Sequence, residues 1–307
     1  MRLLIAGASG FVGQRLCEAL TSAGHAVSAM TRRPDRYEGC GDPVRGDVHD
    51  PATLPGALAG HEVAYYLVHS LDRADFVHAD AEGARAFGRA AAEAGLRRIV
   101  YLGGLGDDRD DLSDHLRSRR EVETHLGEAG VPVTTIRAGI IVGHGGISWE
   151  MTRQLITHLP AMVCPQWVYT RTQPIAIDDV VHYLVAVLDV DATTGRAFDV
   201  GGPDVLVYAD MMQRAATVMG RRRLVIVPVP LLTPSLSSRW LSLVTDVDTA
   251  TGRSLIDSMS NEVVVRDDAI RRLVPLDPMS YDDAVRRALA DRDEAARPTV
   301  EDHAAAA

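Results

Sequence analysis

The chain of 307 residues contains no lysine, so all 32 of its Lys+Arg residues are arginines. Catalysis by a lysine, as a Schiff base or as a proton relay, is therefore excluded. Cysteine is nearly as scarce, and Cys17, Cys40 and Cys164 are odd in number and far apart along the sequence. They suggest neither a disulfide framework nor a metal cluster, so we expect a cytoplasmic protein without a bound metal.

Long apolar runs are also missing, since no stretch reaches the ~20 apolar residues that a membrane-spanning helix needs. The first predicted strand begins at Arg2, which leaves no room for a signal peptide in this sequence. Positive charge is in deficit, with 42 acidic residues and a net charge of −10. Nucleic acids and anionic membranes bind cationic surfaces, so we expect a small-molecule partner instead, and the oligomeric state is not predicted.

What the sequence does contain is a regular alternation of apolar β-branched runs with amphipathic stretches, the pattern of βαβ units. The length is enough for a large α/β unit with a smaller appendage. We therefore predict a Rossmann-type doubly wound parallel sheet with a small C-terminal subdomain on the substrate side. Residues 1–145 would form the core, residues 146–290 the remaining strands and the interleaved subdomain, and residues 291–307 a flexible tail.

A glycine-rich loop, "GASGFVG", lies between the first predicted strand and the first predicted helix. Gly7 permits a tight turn, Gly10 lets backbone N–H groups approach a pyrophosphate, and Gly13 allows close packing of the helix on the strand. The partial positive charge at the helix N-terminus also favours a phosphate. A turn without a ligand is the alternative, but the strand–turn–helix context disfavours it. The predicted contacts to a dinucleotide are Gly7, Ser9, Gly10, Phe11, Val12 and Gly13.

The end of the second strand indicates which dinucleotide binds. NAD-binding proteins usually carry an acidic residue there, whereas this chain has Thr31, Arg32 and Arg33 in "MTRRPDR". Guanidinium groups match a 2′-phosphate, so NADP is favoured over NAD. Asp35 is the evidence for the opposite choice, although it lies beyond a proline. The other predicted cofactor contacts are Asp47, Val48, Leu67 and His69.

Several segments together resemble a known family. The glycine loop, "GDVHD", "AYYLVHSL", "RRIVYLGGLG", "LSDHLRSRREVE" and "QPIAIDDVVHYL" are similar to atypical short-chain dehydrogenases/reductases. More narrowly, they resemble the NmrA-like or nucleoside-diphosphate-sugar-epimerase-like NAD(P)H-binding proteins. The resemblance extends over residues 1–290. It implies the fold and the cofactor but not the substrate.

The resemblance also implies a Ser or Thr at the end of the fifth strand, a Tyr on the next helix and a Lys one turn later. Here those positions hold Gly103 and Gly104, then His115, then Arg119. A histidine can donate or accept a proton near neutral pH, and a nearby arginine lowers its pKa. Arg119 cannot relay protons but can hold a ribose hydroxyl. We predict a catalytic His115 and a cofactor contact at Arg119; alternatively, both only bind cofactor or form surface ion pairs.

The substrate side is less defined. Aromatic residues and methionines between positions 147 and 173 favour a pocket for a bulky apolar molecule, although they could equally form the core of the small subdomain. The predicted substrate contacts are Ser70, Gly104, Ile140, Trp149 and Trp167.

These observations predict an NADP(H)-dependent oxidoreductase that acts on an apolar small molecule. The missing Ser, Tyr and Lys favour the alternative, a dinucleotide-binding sensor without catalysis. A sugar-nucleotide epimerase is a less favoured function, because that chemistry normally also needs the Tyr.

Overall fold

A seven-stranded sheet organises the structure, a computed structural model that describes residues 1–70, 73, 75–159, 161–228, 252 and 256–297. In spatial order its strands are β11 (Ala197–Val200), β6 (Val133–Ala138), β5 (Arg98–Gly104), β4 (Val63–Tyr66), β1 (Arg2–Ala6), β2 (Ala26–Thr31) and β3 (Asp42–Arg45). Every neighbouring pair is parallel. The sheet therefore extends to both sides of β1, and the predicted doubly wound fold is confirmed.

Helices cover both faces of this sheet. One face packs on α1 (Phe11–Ser22), α6 (Ile177–Ala186) and α8 (Ala269–Leu273), and the other packs on α2 (Leu54–Leu58), α3 (Phe76–Glu93) and α4 (Asp114–Gly127). Successive β1 residues pack on opposite faces of the sheet: Leu3 lies in the core beneath α1, α6 and α8, and Leu4 lies in the core beneath α2, α3 and α4. Strands buried on both faces give continuous apolar runs in the sequence. In the part of the chain that the structure describes, no helix has the length and apolar character to span a bilayer.

The subdomain is built around a second apolar core. Its helices are α5 (Ile147–His158), α7 (Tyr208–Val218) and α9 (Tyr281–Ala295). Three two-stranded sheets accompany them: β7 (Ile141–Val142) with β10 (Ile175–Ala176), β9 (Arg171–Thr172) with β12 (Leu206–Val207), and β8 (Ala161–Cys164) with β13 (Val225–Pro228). Between α6 and α7 the chain returns to the main sheet as β11, so core and subdomain are interleaved in sequence.

The C-terminal end differs from the predicted flexible tail. Helix α9 continues to Ala295, so a tail from residue 291 would begin inside a helix. Its N-terminus is capped by Ser280, whose hydroxyl accepts a hydrogen bond from the Asp283 N–H at 3.2 Å. Its inner face buries Tyr281 and Val285, and this burial holds the helix on the subdomain. The predicted tail residues 298–307 lie outside the described residues.

Asn261 ties the subdomain side to the start of α4. Its Oδ1 accepts a hydrogen bond from the Ser113 N–H, and its Nδ2 donates to the Asp111 carbonyl, both at 2.9 Å. Two residues later, the Val263 carbonyl accepts a hydrogen bond from the Gln173 N–H, beside β9, at 2.9 Å. Asn261 is 8% exposed, so these bonds are sheltered from water. The position of the first turn of α4 is thus fixed by residues distant in sequence.

Helices α3 and α4 approach each other closely at Gly88. A Cβ at this position would lie 2.6 Å from the Leu126 carbonyl oxygen. Gly88→Ala should therefore lower the free energy of unfolding by about 1–3 kcal/mol, since overpacking strains a close contact. A Cβ on Gly56 in α2 would have no heavy atom within 4 Å, so Gly56→Ala is a matched control expected to be neutral or slightly stabilising. Urea unfolding that gives equal stability for the two variants would contradict this close approach.

Candidate active site

An open cleft with a volume of about 830 Å³ lies at the carboxyl ends of β1, β2 and β4. In doubly wound sheets ligands bind at this edge, beside the strand from which the sheet extends both ways. The cleft brings together many residues that the sequence predicts as ligands: Gly7, Ser9, Gly10, Thr31, Arg32, Arg33, Asp47, Val48, Leu67, His69 and Ser70. His49 and Arg73, which were not predicted, line it as well.

The glycine loop leaves a cradle at the bottom of the cleft. Gly7 has φ +92°, a conformation that favours glycine, and a Cβ on Gly13 would lie 2.2 Å from the Gly7 carbonyl oxygen. Gly10 precedes α1 and provides no side chain to cap it. The N–H groups of the first helical turn have no acceptor within the helix, so they suit an anion. The cradle fits the pyrophosphate of a dinucleotide.

The first turn of α1 is held in place by its own side chains. A Cβ on Gly146 would lie 2.9 Å from the Phe11 ring, so this ring packs on the segment that follows β7. Arg15 stacks over the same ring at 4.8 Å and donates a hydrogen bond to the His144 carbonyl at 2.8 Å. Val12 packs against the core of the sheet. Phe11 and Val12 are not among the described residues that line the cleft, so their contacts with the cofactor stay predictions.

Arg32 and Arg33 stand at the end of β2 with exposed side chains. The Thr31 hydroxyl accepts a hydrogen bond from the Arg33 N–H at 3.2 Å, which shapes the turn. Within the described part of the chain neither arginine has an ion-pair partner. Two guanidinium groups without partners beside a cleft suit a phosphate group.

A buried polar network lies beneath the cleft. Asp80 on α3 is 3% exposed and accepts hydrogen bonds from the hydroxyl and the backbone N–H of Ser70. The Ser70 Oγ also lies 3.2 Å from His49 Nε2. Burial raises the pKa of Asp80, and the positive charge of Arg119 partly offsets this rise. Ser70, predicted as a substrate contact, thus has its hydroxyl engaged in holding the loop after β4.

His115 lies in the first turn of α4. Its Nδ1 atom is buried and has no hydrogen-bond partner among the described residues. Burial lowers the pKa of His115 to about 3, and the nearby charges of Arg119 and His69 act in the same direction. The sequence predicts the effect of Arg119, but burial is the larger cause. The imidazole is therefore neutral at physiological pH and keeps one N–H to donate.

Side chains of α4 lie beside the position of the missing serine. A Cβ on Gly104 would lie 3.0 Å from Leu116 Cδ2 and 3.4 Å from Arg119 Cγ. The Gly104 carbonyl accepts a hydrogen bond from Arg120 Nη1 at 2.7 Å. A serine at this position would need the end of the Leu116 side chain to move by a few tenths of an ångström. The predicted substrate contact at Gly104 is limited to its backbone.

Arg119 points toward the buried network. It is 8% exposed, and its carbonyl accepts a hydrogen bond from the Tyr101 hydroxyl at 3.3 Å. Its charge acts on Asp80 and on His115, as their pKa values show. Among the described residues that line the cleft, Arg119 is not found. Its contact with the cofactor ribose stays a prediction.

The predicted aromatic pocket is mostly a core. Trp149 is 2% exposed and packs inside the subdomain, which corrects the expectation of a substrate contact there. Trp167 packs edge-on against Tyr208, with ring centroids 5.8 Å apart, and Ile140 packs on the same core. The apolar side chains between 147 and 173 therefore mainly stabilise the subdomain, the alternative that the sequence left open.

His49 and Asp80, besides Arg73, were not predicted from the sequence, although the sequence carries a sign of each. His49 lies directly beside the predicted Val48 and could have been included with it. Asp80 shares a helical face with Ala84 and Phe87, at spacings of four and seven residues, and all three are buried. A carboxylate on an otherwise apolar helix face is a readable sign of a buried polar partner.

Comparison with known proteins identifies the family. A family model described as NAD(P)H-binding matches residues 7–163, half of the chain, and the chain belongs to this family. The chain is 30% identical over 231 residues to a (4-alkanoyl-5-oxo-2,5-dihydrofuran-3-yl)methyl phosphate reductase of Streptomyces griseus, covering 71% of this chain and 74% of that protein. It is 29% identical over 250 residues to a ceramide reductase of Caulobacter vibrioides, covering 78% of each. It spans only 23% of some longer relatives.

Solved structures share the fold. The triphenylmethane reductase of Citrobacter sp., complexed with NADP(H), superposes with a TM-score of 0.76 at 16% identity, covering 94% of this chain and all of that one. At this identity the likeness shows the fold alone. Together these findings confirm the resemblance to NAD(P)H-binding proteins and place the chain in a reductase-like family.

The arrangement of Arg32 and Arg33 predicts a cofactor preference. The double variant Arg32→Ser/Arg33→Ser should weaken NADPH binding tenfold or more and change NADH binding little, because a charge-assisted phosphate contact contributes roughly 1.5–3 kcal/mol. Arg36→Ser, in the same loop, is the matched control and should leave both affinities near wild type. Calorimetry that shows equal losses of affinity for NADPH and NADH would mean that the two arginines only contribute to the general electrostatic potential of the cleft.

The lowered pKa of His115 predicts a histidine that does not titrate in the usual range. Of the eleven imidazoles, at least one NMR signal should stay constant between about pH 8 and pH 5, and His115→Asn should remove it. Because the folded-state pKa is lower than the unfolded one, its contribution to stability is full above about pH 6.5 and decreases as the pH falls toward 3. Normal titration of all eleven signals would refute the buried position of His115.

Proposed function

We propose that this protein is an NADP(H)-dependent oxidoreductase of the atypical short-chain class that acts on an apolar small molecule. The observation that carries the proposal is the cleft in which the uncapped N-terminus of α1 and the unpaired Arg32 and Arg33 lie side by side. The reductase names of its relatives support the reaction type.

Different residues of the cleft would bind different parts of the cofactor. The backbone of the loop from Gly7 to Gly13 would hold the pyrophosphate, and Arg32 and Arg33 would hold the 2′-phosphate. Asp47 would accept hydrogen bonds at the adenine end. When bound, NADPH supplies a hydride to the substrate.

His115 would act on the substrate as a hydrogen-bond donor. A neutral imidazole carries one N–H, which can polarise a carbonyl and stabilise the negative charge that develops on its oxygen. The absence of a side chain at Gly104 makes this donor more important, because no serine hydroxyl is available there. Burial, assisted by the charge of Arg119, lowers the pKa of His115 and so keeps the ring neutral and able to donate.

His69 would provide the proton that completes a reduction. It lines the cleft, and it lies close enough to His115 to influence the pKa of that residue. A histidine that lines a cleft can act as a proton donor to a bound substrate. In this division of labour His115 polarises the oxygen and His69 supplies the proton.

An apolar substrate is supported by the name of one relative. The ceramide reductase of Caulobacter vibrioides, which is 29% identical to this chain, is named for a substrate with large apolar parts.

A second candidate is a sensor that binds NADP(H) without catalysis. The residues at the family's catalytic positions favour it, because Gly104, His115 and Arg119 stand where the Ser, Tyr and Lys would be. The two functions share the cofactor site and differ in turnover.

The test is loss of NADPH absorbance with a panel of carbonyls, enones and quinones that carry apolar groups. His115→Asn should lower kcat on a true substrate by roughly 10²-fold or more and leave NADPH affinity near wild type, since a donor to the developing charge acts in the transition state. His78→Asn, an exposed histidine on α3, is the control and should change neither.

The outcomes separate the candidates. Tight NADPH binding without turnover of any compound would favour the sensor. Full activity of His115→Asn would mean that another group polarises the substrate.

A further inference from the structure

The outer face of the sheet formed by β8 and β13 is apolar and exposed. The register pairs Val225 with Ala161 and Val227 with Val163, so side chains at these positions lie next to each other. The three valines are 53% (Val163), 57% (Val225) and 47% (Val227) exposed. The opposite face of β8 is buried in the second core through Met162. We call the four residues Ala161, Val163, Val225 and Val227 the valine strip.

Three consecutive arginines precede the strip. Arg221, Arg222 and Arg223 are all exposed, and β13 begins two residues after the last of them. We call them the arginine trio. Even in an extended chain, Arg221 lies within ~14 Å of Val225, at ~3.5 Å per residue. The Arg221 N–H donates a hydrogen bond to the Ala216 carbonyl at 2.8 Å, but in the part of the chain that the structure describes none of the three guanidinium groups has an ion-pair or hydrogen-bond partner.

The sequence on either side of the two strands differs in charge from the whole chain. The chain has 42 acidic residues, but the stretches 151–177 and 211–228, which contain both strands, have none. The other arginines of these stretches are paired with acidic residues elsewhere, as Arg153 is with Glu150 and Arg214 with Asp204. The arginine trio therefore provides the uncompensated positive charge beside the apolar strip.

We propose that the valine strip and the arginine trio dock this protein on an anionic lipid bilayer. Apolar side chains bind at the boundary between headgroups and acyl chains, and arginine side chains at the same level pair with lipid phosphates. The net charge of −10 does not prevent this, because charges more than ~8 Å away are largely screened at physiological ionic strength.

A second copy of the chain fits the strip less well. A stable protein interface uses about 20–30 residues on each side, far more than the four residues of the strip. A twofold contact through the strip would also bring two arginine trios onto one interface, where their like charges repel. A lipid surface instead offers negative charge to the trio, and it needs only weak, reversible binding.

The test is flotation of the full chain with vesicles of phosphatidylcholine alone and of phosphatidylcholine mixed equally with phosphatidylglycerol. The protein should bind only the mixed vesicles, and binding should weaken with added salt. Arg221→Ser/Arg222→Ser/Arg223→Ser should lower the partition coefficient roughly 100-fold, at about fivefold per arginine. The matched control removes three exposed arginines of the sheet domain, Arg45→Ser/Arg89→Ser/Arg97→Ser, and should retain binding within a few-fold.

The contribution of the strip is tested separately. Val225→Ser/Val227→Ser should weaken binding to the mixed vesicles and leave NADPH affinity and thermal stability unchanged, since both side chains are exposed. In Val225→Cys, a maleimide should label the new thiol faster than the native cysteines, and mixed vesicles should slow that labelling.

Several results would overturn the proposal. The proposal is wrong if the wild-type protein fails to float with mixed vesicles. It is also wrong if the trio variant and the control variant lose vesicle binding equally. Slow labelling of Val225→Cys without vesicles would show that other parts of the chain cover the strip. A dimer in sedimentation that Val225→Ser/Val227→Ser dissociates, without vesicle binding, would assign the strip to a second copy.

Discussion

The close approach of α1 to the end of β1 determines the rest of the site. It depends on Gly13, where a Cβ would collide with the Gly7 carbonyl oxygen at 2.2 Å, and on the positive φ of Gly7. This contact sets the unpaired N–H groups of the helix at the carboxyl edge of the sheet. Because all seven strands are parallel, the same edge receives Arg32 from β2 and His69 from the end of β4. A cleft for an anionic dinucleotide follows from the topology once the helix is this close.

The second constraint is the packing of α4 on the end of β5. Gly104 lets Leu116 and Arg119 approach the strand, which brings the Arg119 charge near His115 and Asp80. Inside a protein such charges act strongly, so they bias the protonation of their neighbours. In the proposed function, a neutral hydrogen-bond donor beside a fixed positive charge takes the place of the Tyr and Lys pair.

The sequence predicts the fold and the cofactor cleft because both depend on local patterns: apolar runs set the strands, and glycine spacing sets the loop. The tertiary contacts could be predicted less well from the sequence. Trp149 could equally have lined a pocket or filled a core, since both environments favour an aromatic side chain. The hydrogen bond between Asn261 and Ser113 joins residues 148 positions apart, which no local pattern encodes. By contrast, Asp80 on an apolar helix face was visible in the sequence as a departure from periodicity.

The most direct test of the cofactor site is phosphorus-31 NMR of NADP⁺ bound to the wild-type protein, with the 2′-phosphate resonance followed as a function of pH. A free phosphate monoester takes up a proton near pH ~6. If Arg32 and Arg33 hold the 2′-phosphate, the bound resonance should remain that of the dianion well below this pH, because paired guanidinium groups stabilise the charged form. A bound 2′-phosphate that titrates like the free one would contradict the assigned cofactor site.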